Sequence, residues 1–254
     1  MSTTEQVTYN PQKPKLYGYF RSSATWRVRI ALAWKGIEYE YIPINLVKGE
    51  QSSEEHAQRN TFKVVPVLSL PDGTNLVQST AIMEYLEETH PGMLFDLRNK
   101  INRIQLLIAY NLYTDKPLMP KDVLQRCVVR SIINEIACDM QPIQNTKVQA
   151  YISSDKDKRV EWANYWLTNG CDALEKHLAK TAGTYCVGDQ VTLADCSLYP
   201  IAYNAYRYKV DMSKCPTITR ILDNLDKLEP FQAAHAHAQS DTLPELRGKT
   251  MKDI

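Results

Sequence analysis

The chain has 254 residues, which is long enough for two small domains that each bury a core. Its 30 lysines and arginines nearly balance its 29 aspartates and glutamates, and the resulting net charge of +1 disfavours nucleic acid as a partner. Hydrophobic residues make up 44% of the sequence, but no apolar run approaches the ~20 residues that span a bilayer, so we expect no membrane partner.

The first residues are polar and contain neither a basic segment nor an apolar segment of the kind found in signal peptides. We therefore expect residues 1–14 to form a disordered tail and the protein to be cytoplasmic. The six cysteines form no CxxC pair, and scattered cysteines in a cytoplasmic protein are typically buried thiols. The histidines are not grouped with cysteines, so we expect no metal site.

Strand and helix patterns alternate from residue 15 onward. A short strand containing Leu16 and Tyr19 precedes a helix over residues 25–35, which ends at Gly36. The following elements are a strand over 37–44, a short helix over 52–60, two strands over 64–70 and 75–77 around a turn, and a helix over 81–88. The predicted order is βαβαββα.

The second half of the chain shows only helical spacing, which begins near Lys121. Thr192 and Asp195 form a capping-box pattern, which predicts a helix from Leu193 into the tyrosine-rich stretch 199–208. We therefore predict an α/β domain over residues 15–92, a linker or insertion over 93–117, and an all-helical domain over 118–254.

A βαβαββα unit with Val65-Pro66 at the start of its third strand resembles the thioredoxin-like fold, in which this proline is typically cis. An all-helical domain after that unit is typical of cytosolic glutathione transferases. Residues 19–32, YFRSSATWRVRIAL, resemble the SSCxWRVRIAL signature of the zeta class, the family of the maleylacetoacetate isomerases. Other blocks in the family's order are residues 43–46, 65–68, 78–79, 84–88, 141–145 and 185–189.

The resemblance implies a glutathione-dependent cis-trans isomerase that converts maleylacetoacetate to fumarylacetoacetate in tyrosine and phenylalanine breakdown. It also implies that glutathione is a recycled cofactor, that the substrate is a small dicarboxylate, and that the protein is a homodimer. Two alternatives remain open: a zeta-class transferase that dehalogenates small α-halo acids, and a binding protein of the same fold without catalysis.

Ser22 and Ser23 lie just before the first predicted helix, where a hydroxyl and the exposed backbone N–H groups can stabilise a thiolate. A serine at this position can also be only a helix cap, and the sequence does not say which serine would activate the thiol. The resemblance adds the next four residues of the signature as cofactor contacts: Ala24, Thr25, Trp26 and Arg27.

Gln78 and Ser79 repeat the helix-start arrangement, so that Ser79 could bind the γ-glutamyl carboxylate of glutathione. Val65 could offer its backbone N–H and C=O to the cysteinyl part of glutathione, as an added strand would. By resemblance, the remaining contacts are Gln51, Gln141 and Asn145.

A dicarboxylate substrate requires cations. Arg207 matches a family arginine proposed to hold a substrate carboxylate, and Arg21 lies beside the serines. Arginine suits a carboxylate because it can donate two parallel hydrogen bonds. A salt bridge between helices is the alternative role for either side chain.

The sequence departs from the family pattern at two places. Ala24 stands where the family has a cysteine, so the position nearest the thiol chemistry lacks its own thiol. Residues 93–115 have no counterpart in the family pattern, and they are either a translated intron or an amphipathic helix that extends the linker.

Overall fold

The computed structural model describes residues 13–90 and 116–254. Most of the predicted tail, and the whole of the stretch 93–115 with its two interpretations, lie outside these residues. The proposed domain boundary within 93–117 therefore stays a prediction.

The first domain has the predicted βαβαββα order. Its elements are β1 (Lys15–Gly18), α1 (Ser23–Trp34), β2 (Glu40–Pro43), α2 (Glu54–Arg59), β3 (Val67–Ser69), β4 (Asn75–Val77) and α3 (Ser79–Thr89). The four strands form one sheet in the order β2-β1-β3-β4, in which β1 and β2 are parallel and the other neighbours are antiparallel. The Val65–Pro66 peptide bond is cis, as the resemblance predicted.

Helix α1 is buried on nearly all sides. It contacts α3 in its own domain and two helices of the second domain. Nine of its twelve residues are buried, including Trp26, Arg27 and Arg29, so the helix does not have the single apolar face of a surface helix. Its position between two layers brings residues near its N-terminus close to both domains.

The second domain is all-helical among its described residues, as the spacing predicted. Its helices are α4 (Val123–Asn134), α5 (Thr146–Ile152), α6 (Lys156–Thr181), α7 (Leu193–Arg207), α8 (Pro216–Leu225) and α9 (Glu229–Ala233). A π-helical segment, Glu135–Met140, continues directly from α4. The predicted capping box at Thr192 and Asp195 is present and begins α7.

The interface between the domains includes α1, α7, α9 and the residues after α9. The Trp26 indole ring packs edge-on against Tyr199, Tyr203 and His235, with ring centroids 4.9–5.5 Å apart. The buried guanidinium of Arg29 donates to the backbone carbonyls of Ala234, Tyr19 and Phe20. These contacts fix α1 against the helical domain.

The expectation of buried thiols is correct for four cysteines and wrong for two. Cys171, Cys186, Cys196 and Cys215 are buried, whereas Cys127 and Cys138 are exposed because they lie on the outer side of α4 and of the π-helical segment. All six are free thiols. Within residues 13–90 and 116–254, no helix has both the length and the apolar character needed to cross a membrane.

Candidate active site

A cleft with two adjoining lobes lies where the N-termini of α1 and α3 face residues 137–148 of the helical domain. The Ser22 lobe has a volume of about 680 Å³ and also contains Gln51 and the loop 61–65. The Ser79 lobe has a volume of about 380 Å³ and also contains Arg27, Gln78 and Cys138. Both lobes share Ala24, Val64, Val65, Gln141, Asn145 and Lys147.

Ser22 is the N-cap residue of α1, and its hydroxyl oxygen accepts a hydrogen bond from the N–H of Thr25 at 3.2 Å. The hydroxyl proton is not used in that bond, so it can be donated to an acceptor in the cleft. The start of α1 also carries the positive end of the helix dipole, which favours an anion there.

Ser23 is not in the cleft. Its buried hydroxyl donates to the carbonyl of Pro200 at 3.4 Å and accepts from the side chain of Asn204 at 3.0 Å. Because successive helix residues are rotated by about 100°, the side chain beside Ser22 faces the helical domain instead. The sequence did not distinguish the two serines, whereas the structure places only Ser22 in the cleft.

Arg27 lies in the wall of the Ser79 lobe with only 2% of its surface exposed. Its guanidinium donates to the hydroxyl of Ser79 at 3.3 Å and to the side-chain oxygen of Gln141, while Nε has no partner within the described residues. Burial lowers its pKa to about 10, so the group stays charged at neutral pH. None of the described carboxylates forms an ion pair with it, so the lobe presents a buried cation without a counter-ion.

Gln78 lines the Ser79 lobe, and Val65 lines both lobes. Gln78 has a φ of +69°, a region that non-glycine residues rarely adopt and that is often found at functional sites. The N–H and C=O groups of Val65 have no hydrogen-bond partner among the described residues. Both groups are available to an extended peptide.

Gln51 and Asn145 both line the Ser22 lobe. The side-chain oxygen of Gln51 is buried and lacks a partner among the described residues, so it is an acceptor available to a donor in the cleft. The Asn145 side chain caps α5 by accepting the N–H of Lys147, and its amide NH₂ is not used in that bond.

Thr25 and Trp26 were predicted as cofactor contacts, but neither side chain lines the cleft. Both are fully buried, and Trp26 packs against the aromatic residues of the domain interface. The methyl group of Thr25 lies so close to Gly18 that a Cβ built there would be 2.2 Å away. Their role in this structure is to pack α1 against the sheet and the helical domain.

Neither Arg207 nor Arg21, the residue that precedes Ser22, lines either lobe, but the two guanidinium groups lie near each other. Burial lowers the pKa of Arg21, and the positive charge of Arg207 lowers it further. Within the described part of the chain, neither arginine has an ion-pair partner. Two cations without counter-ions beside the start of α1 favour the binding of an anion.

The sequence did not single out several residues of the cleft. Cys138 was expected to be buried, yet it lies exposed in the wall of the Ser79 lobe, and Lys147 lies in the walls of both lobes. The loop over residues 61–64 carried no motif. Only the spacing between Asn60 and Val65 could have indicated it.

The cleft fits glutathione, a tripeptide with a thiol and two carboxylates. Ser22 can donate to the sulfur, Val65 can pair with the peptide backbone, and the unpaired oxygen of Gln51 can accept an N–H. The Arg27 guanidinium lies beside Ser79, and its unpartnered Nε is a donor that could pair with a carboxylate.

Two family models match the chain. The glutathione S-transferase N-terminal domain matches residues 12–88, and the glutathione S-transferase C-terminal domain matches residues 167–239. A maleylacetoacetate isomerase of Mus musculus is 47% identical over 92% of this chain and 98% of its own length.

Solved structures agree with this sequence similarity. A maleylacetoacetate isomerase from Anaeromyxobacter dehalogenans with glutathione in its active site is 36% identical, with a TM-score of 0.75 over 92% of this chain and 100% of that one. A second structure from the same source, with dicarboxyethyl glutathione and citrate in its active site, is 37% identical, with a TM-score of 0.75 over 93% of this chain and 100% of that one.

Proposed function

The chain belongs to the zeta-class glutathione S-transferases, the group that includes the maleylacetoacetate isomerases, and we propose that it performs this isomerisation in the cleft at the start of α1. It is a glutathione-dependent cis-trans isomerase that converts maleylacetoacetate to fumarylacetoacetate. Glutathione supplies the sulfur nucleophile that adds to the double bond and leaves again after rotation about the carbon–carbon bond.

The observation that carries the site assignment is the combination of Ser22 and Arg27 in one cleft. Ser22 places a hydroxyl proton and the N-terminus of a buried helix at one end. Arg27 places a buried, uncompensated cation at the other. A molecule with a thiolate at one end and a carboxylate at the other matches both features. We assign thiolate stabilisation to Ser22 rather than to Ser23, because the Ser23 hydroxyl is held by Pro200 and Asn204.

We assign the substrate carboxylates to Arg21 and Arg207. The positive charge of Arg207 lowers the pKa of Arg21, and an anion placed between the two guanidinium groups would relieve their repulsion. Arg207 is oriented by a hydrogen bond to the hydroxyl of Tyr208 at 3.2 Å. The pair would hold a dianion beside the sulfur at Ser22, where proximity and orientation provide much of the rate enhancement.

Ala24 lines both lobes and supplies no thiol at the position where the family has a cysteine. The reaction does not need one, because its nucleophile is the sulfur of glutathione. The departure from the family pattern is therefore compatible with isomerase activity, and it gives no support to a protein that only binds its ligand.

The experiment is an isomerisation assay with maleylacetone as the substrate, with and without reduced glutathione. We expect turnover only with glutathione, formation of the trans isomer, and no net consumption of glutathione. Turnover of dichloroacetate without isomerisation would instead support the dehalogenase alternative. Retention on immobilised glutathione without either reaction would support a binding protein.

We also propose that the protein is a homodimer in which the first domain of one copy packs against the helical domain of the other. Large apolar side chains are exposed on both domains, among them Phe62 (73%) on the first and Leu124 (77%) on the second. Exposed apolar residues that form a contiguous patch often mark an interface. Light scattering of the wild type should give twice the mass of one chain, and Phe62→Asp should lower it.

A cytoplasmic location is the last part of the proposal. The six cysteines are all unpaired thiols, which is typical of a protein kept in a reducing compartment. Fractionation of cells that express the chain should find it in the cytoplasm, and recovery from a secreted or membrane fraction would contradict this location.

A further inference from the structure

Cys138 is an exposed free thiol in the wall of the cleft. It lies in the π-helical segment Glu135–Met140, at the wall of the Ser79 lobe, and its side chain is exposed. Short π-helical segments of this kind are frequent at functional sites because they displace a few side chains from the regular helical path. The same lobe contains Ala24, which occupies the position of the family's cysteine.

The lobe also carries an independent sign of an anionic ligand. Arg27 is 2% exposed, its Nε has no partner among the described residues, and the nearby Cys138 sulfur is one of the groups that favour its charged form. The cation therefore attracts an anion to the position beside the Cys138 sulfur. Glutathione and its disulfide both carry carboxylates that suit this position.

We propose that Cys138 is a site of reversible S-glutathionylation, which closes the cleft to the cofactor when the glutathione pool becomes oxidised. The inference rests on the proposed binding of glutathione in the same cleft. It assigns a modification to a residue that takes no part in the isomerisation itself.

The reaction is a thiol–disulfide exchange with glutathione disulfide as the oxidant. The Cys138 thiol loses its proton, and its sulfur attacks one sulfur of the disulfide. The disulfide bond breaks, a new bond joins Cys138 Sγ to one glutathionyl group, and the other leaves as a thiolate that takes up a proton. Reduced glutathione reverses the step by the same exchange.

The consequence for activity follows from the size of the lobe. The Ser79 lobe measures about 380 Å³, and a glutathionyl group attached to its wall would occupy the space beside Arg27 and Ser79. The cofactor would then lack its carboxylate position. Modification is therefore expected to raise the KM for glutathione and to reduce turnover at subsaturating cofactor.

Cys127 provides a matched control. It is also exposed, and it lies near the guanidinium of Arg130 on α4. However, Arg130 is already paired with Glu84 at 2.8 Å, and Cys127 lines neither lobe. The two thiols therefore differ in the one property that the proposal requires, a position in the cleft next to an uncompensated cation.

The experiment treats the full chain with glutathione disulfide and follows the adduct on each cysteine by mass spectrometry. We expect Cys138 to react roughly tenfold or more faster than Cys127, because binding in the cleft raises the local concentration of the reagent. An excess of S-methylglutathione, which cannot form a disulfide, should remove this difference. Isomerase activity should fall in step with the Cys138 adduct and return with reduced glutathione.

Treatment with glutathione disulfide should lower the activity of Cys127→Ser as much as that of the wild type. The same treatment should leave the activity of Cys138→Ser equal to that of the untreated Cys138→Ser variant. Equal reaction rates at the two cysteines, or an adduct on Cys138 without a change in the KM for glutathione, would overturn the proposal. A thermal-shift measurement with S-methylglutathione shows whether the chain binds the glutathione skeleton at all. It therefore distinguishes an error in the Cys138 proposal from an error in the proposed function. Binding without preferential modification rejects only the Cys138 site, whereas no binding at all rejects the glutathione cleft.

Discussion

The two faces of α1 carry the same residue types with different roles. Ser22 and Arg27 line the cleft, whereas Ser23 and Arg29 are held within the interface between the domains. Residues one or two positions apart on a helix point about 100° to 200° away from each other, so one run of sequence serves both faces.

The hydrogen-bond partners favour the cleft face of α1 as the functional one. All three carbonyls that accept from Arg29 are backbone groups, and these bonds hold the chain in place. Arg27 has two side-chain partners, Ser79 and Gln141, and one nitrogen without a partner among the described residues. A buried arginine whose donors end on backbone carbonyls stabilises the fold, whereas one with an unsatisfied donor at a cleft is suited to a ligand.

The two serines give the largest expected contrast. Ser22→Ala should lower kcat by ~10²–10⁴-fold, because positioned proton donors contribute in that range. Ser23→Ala should change kcat only a few-fold and should lower the free energy of unfolding by about 1 kcal/mol, because it removes a buried hydrogen bond. Steady-state kinetics with maleylacetone and urea denaturation measure the two effects. A large loss of kcat in Ser23→Ala alone would reverse the assignment of the serines.

Substitution of the two buried arginines should affect different properties: Arg29 mainly the free energy of unfolding, and Arg27 mainly the binding of glutathione. Arg29→Met should lower the free energy of unfolding by about 3 kcal/mol, since buried carbonyls lose their donors. Arg27→Met should cost less stability but raise the KM for glutathione roughly tenfold, a loss of about 1.4 kcal/mol in binding. Denaturation curves and the KM of each variant provide the comparison. A normal KM in Arg27→Met would remove the carboxylate position from the Ser79 lobe.

The smallest effect concerns His235, which packs against Trp26 on the interface side of α1. Burial, and then the charges of His237 and Arg29, lower its pKa to about 4, below the usual value near 6.5. As the pH falls, His235 is protonated in the unfolded chain before it is protonated in the folded chain. The free energy of unfolding therefore decreases as the pH falls from about 6.5 towards 4. Between pH 7 and pH 5 this loss should be about 2 kcal/mol.

His235→Asn tests this pH dependence because asparagine can keep the cap on the N–H of His237. The variant should start from a lower stability but lose less of it between pH 7 and pH 5 than the wild type does. Denaturation midpoints at a fixed protein concentration measure the difference. Parallel pH profiles for the two proteins would contradict the shifted pKa of His235.

The sequence predicted the order of elements well because local signals define them. The alternation over 37–44, the turn before Asn75 and the capping box at Thr192 each predicted an observed element. The predicted limits were less accurate: α1 begins at Ser23 rather than at residue 25, because the hydroxyl of Ser22 caps it.

The sequence alone determined the fold class, the family signature and a set of polar residues placed at helix starts, because these depend on local patterns along the chain. The tertiary structure decided which of those residues share a cleft. It moved Ser23, Thr25 and Trp26 into the packing of α1, and it brought Cys138 to the wall opposite. The physical reason is that α1 is buried between two layers, so the face on which each side chain lies depends on contacts with residues far away in the sequence.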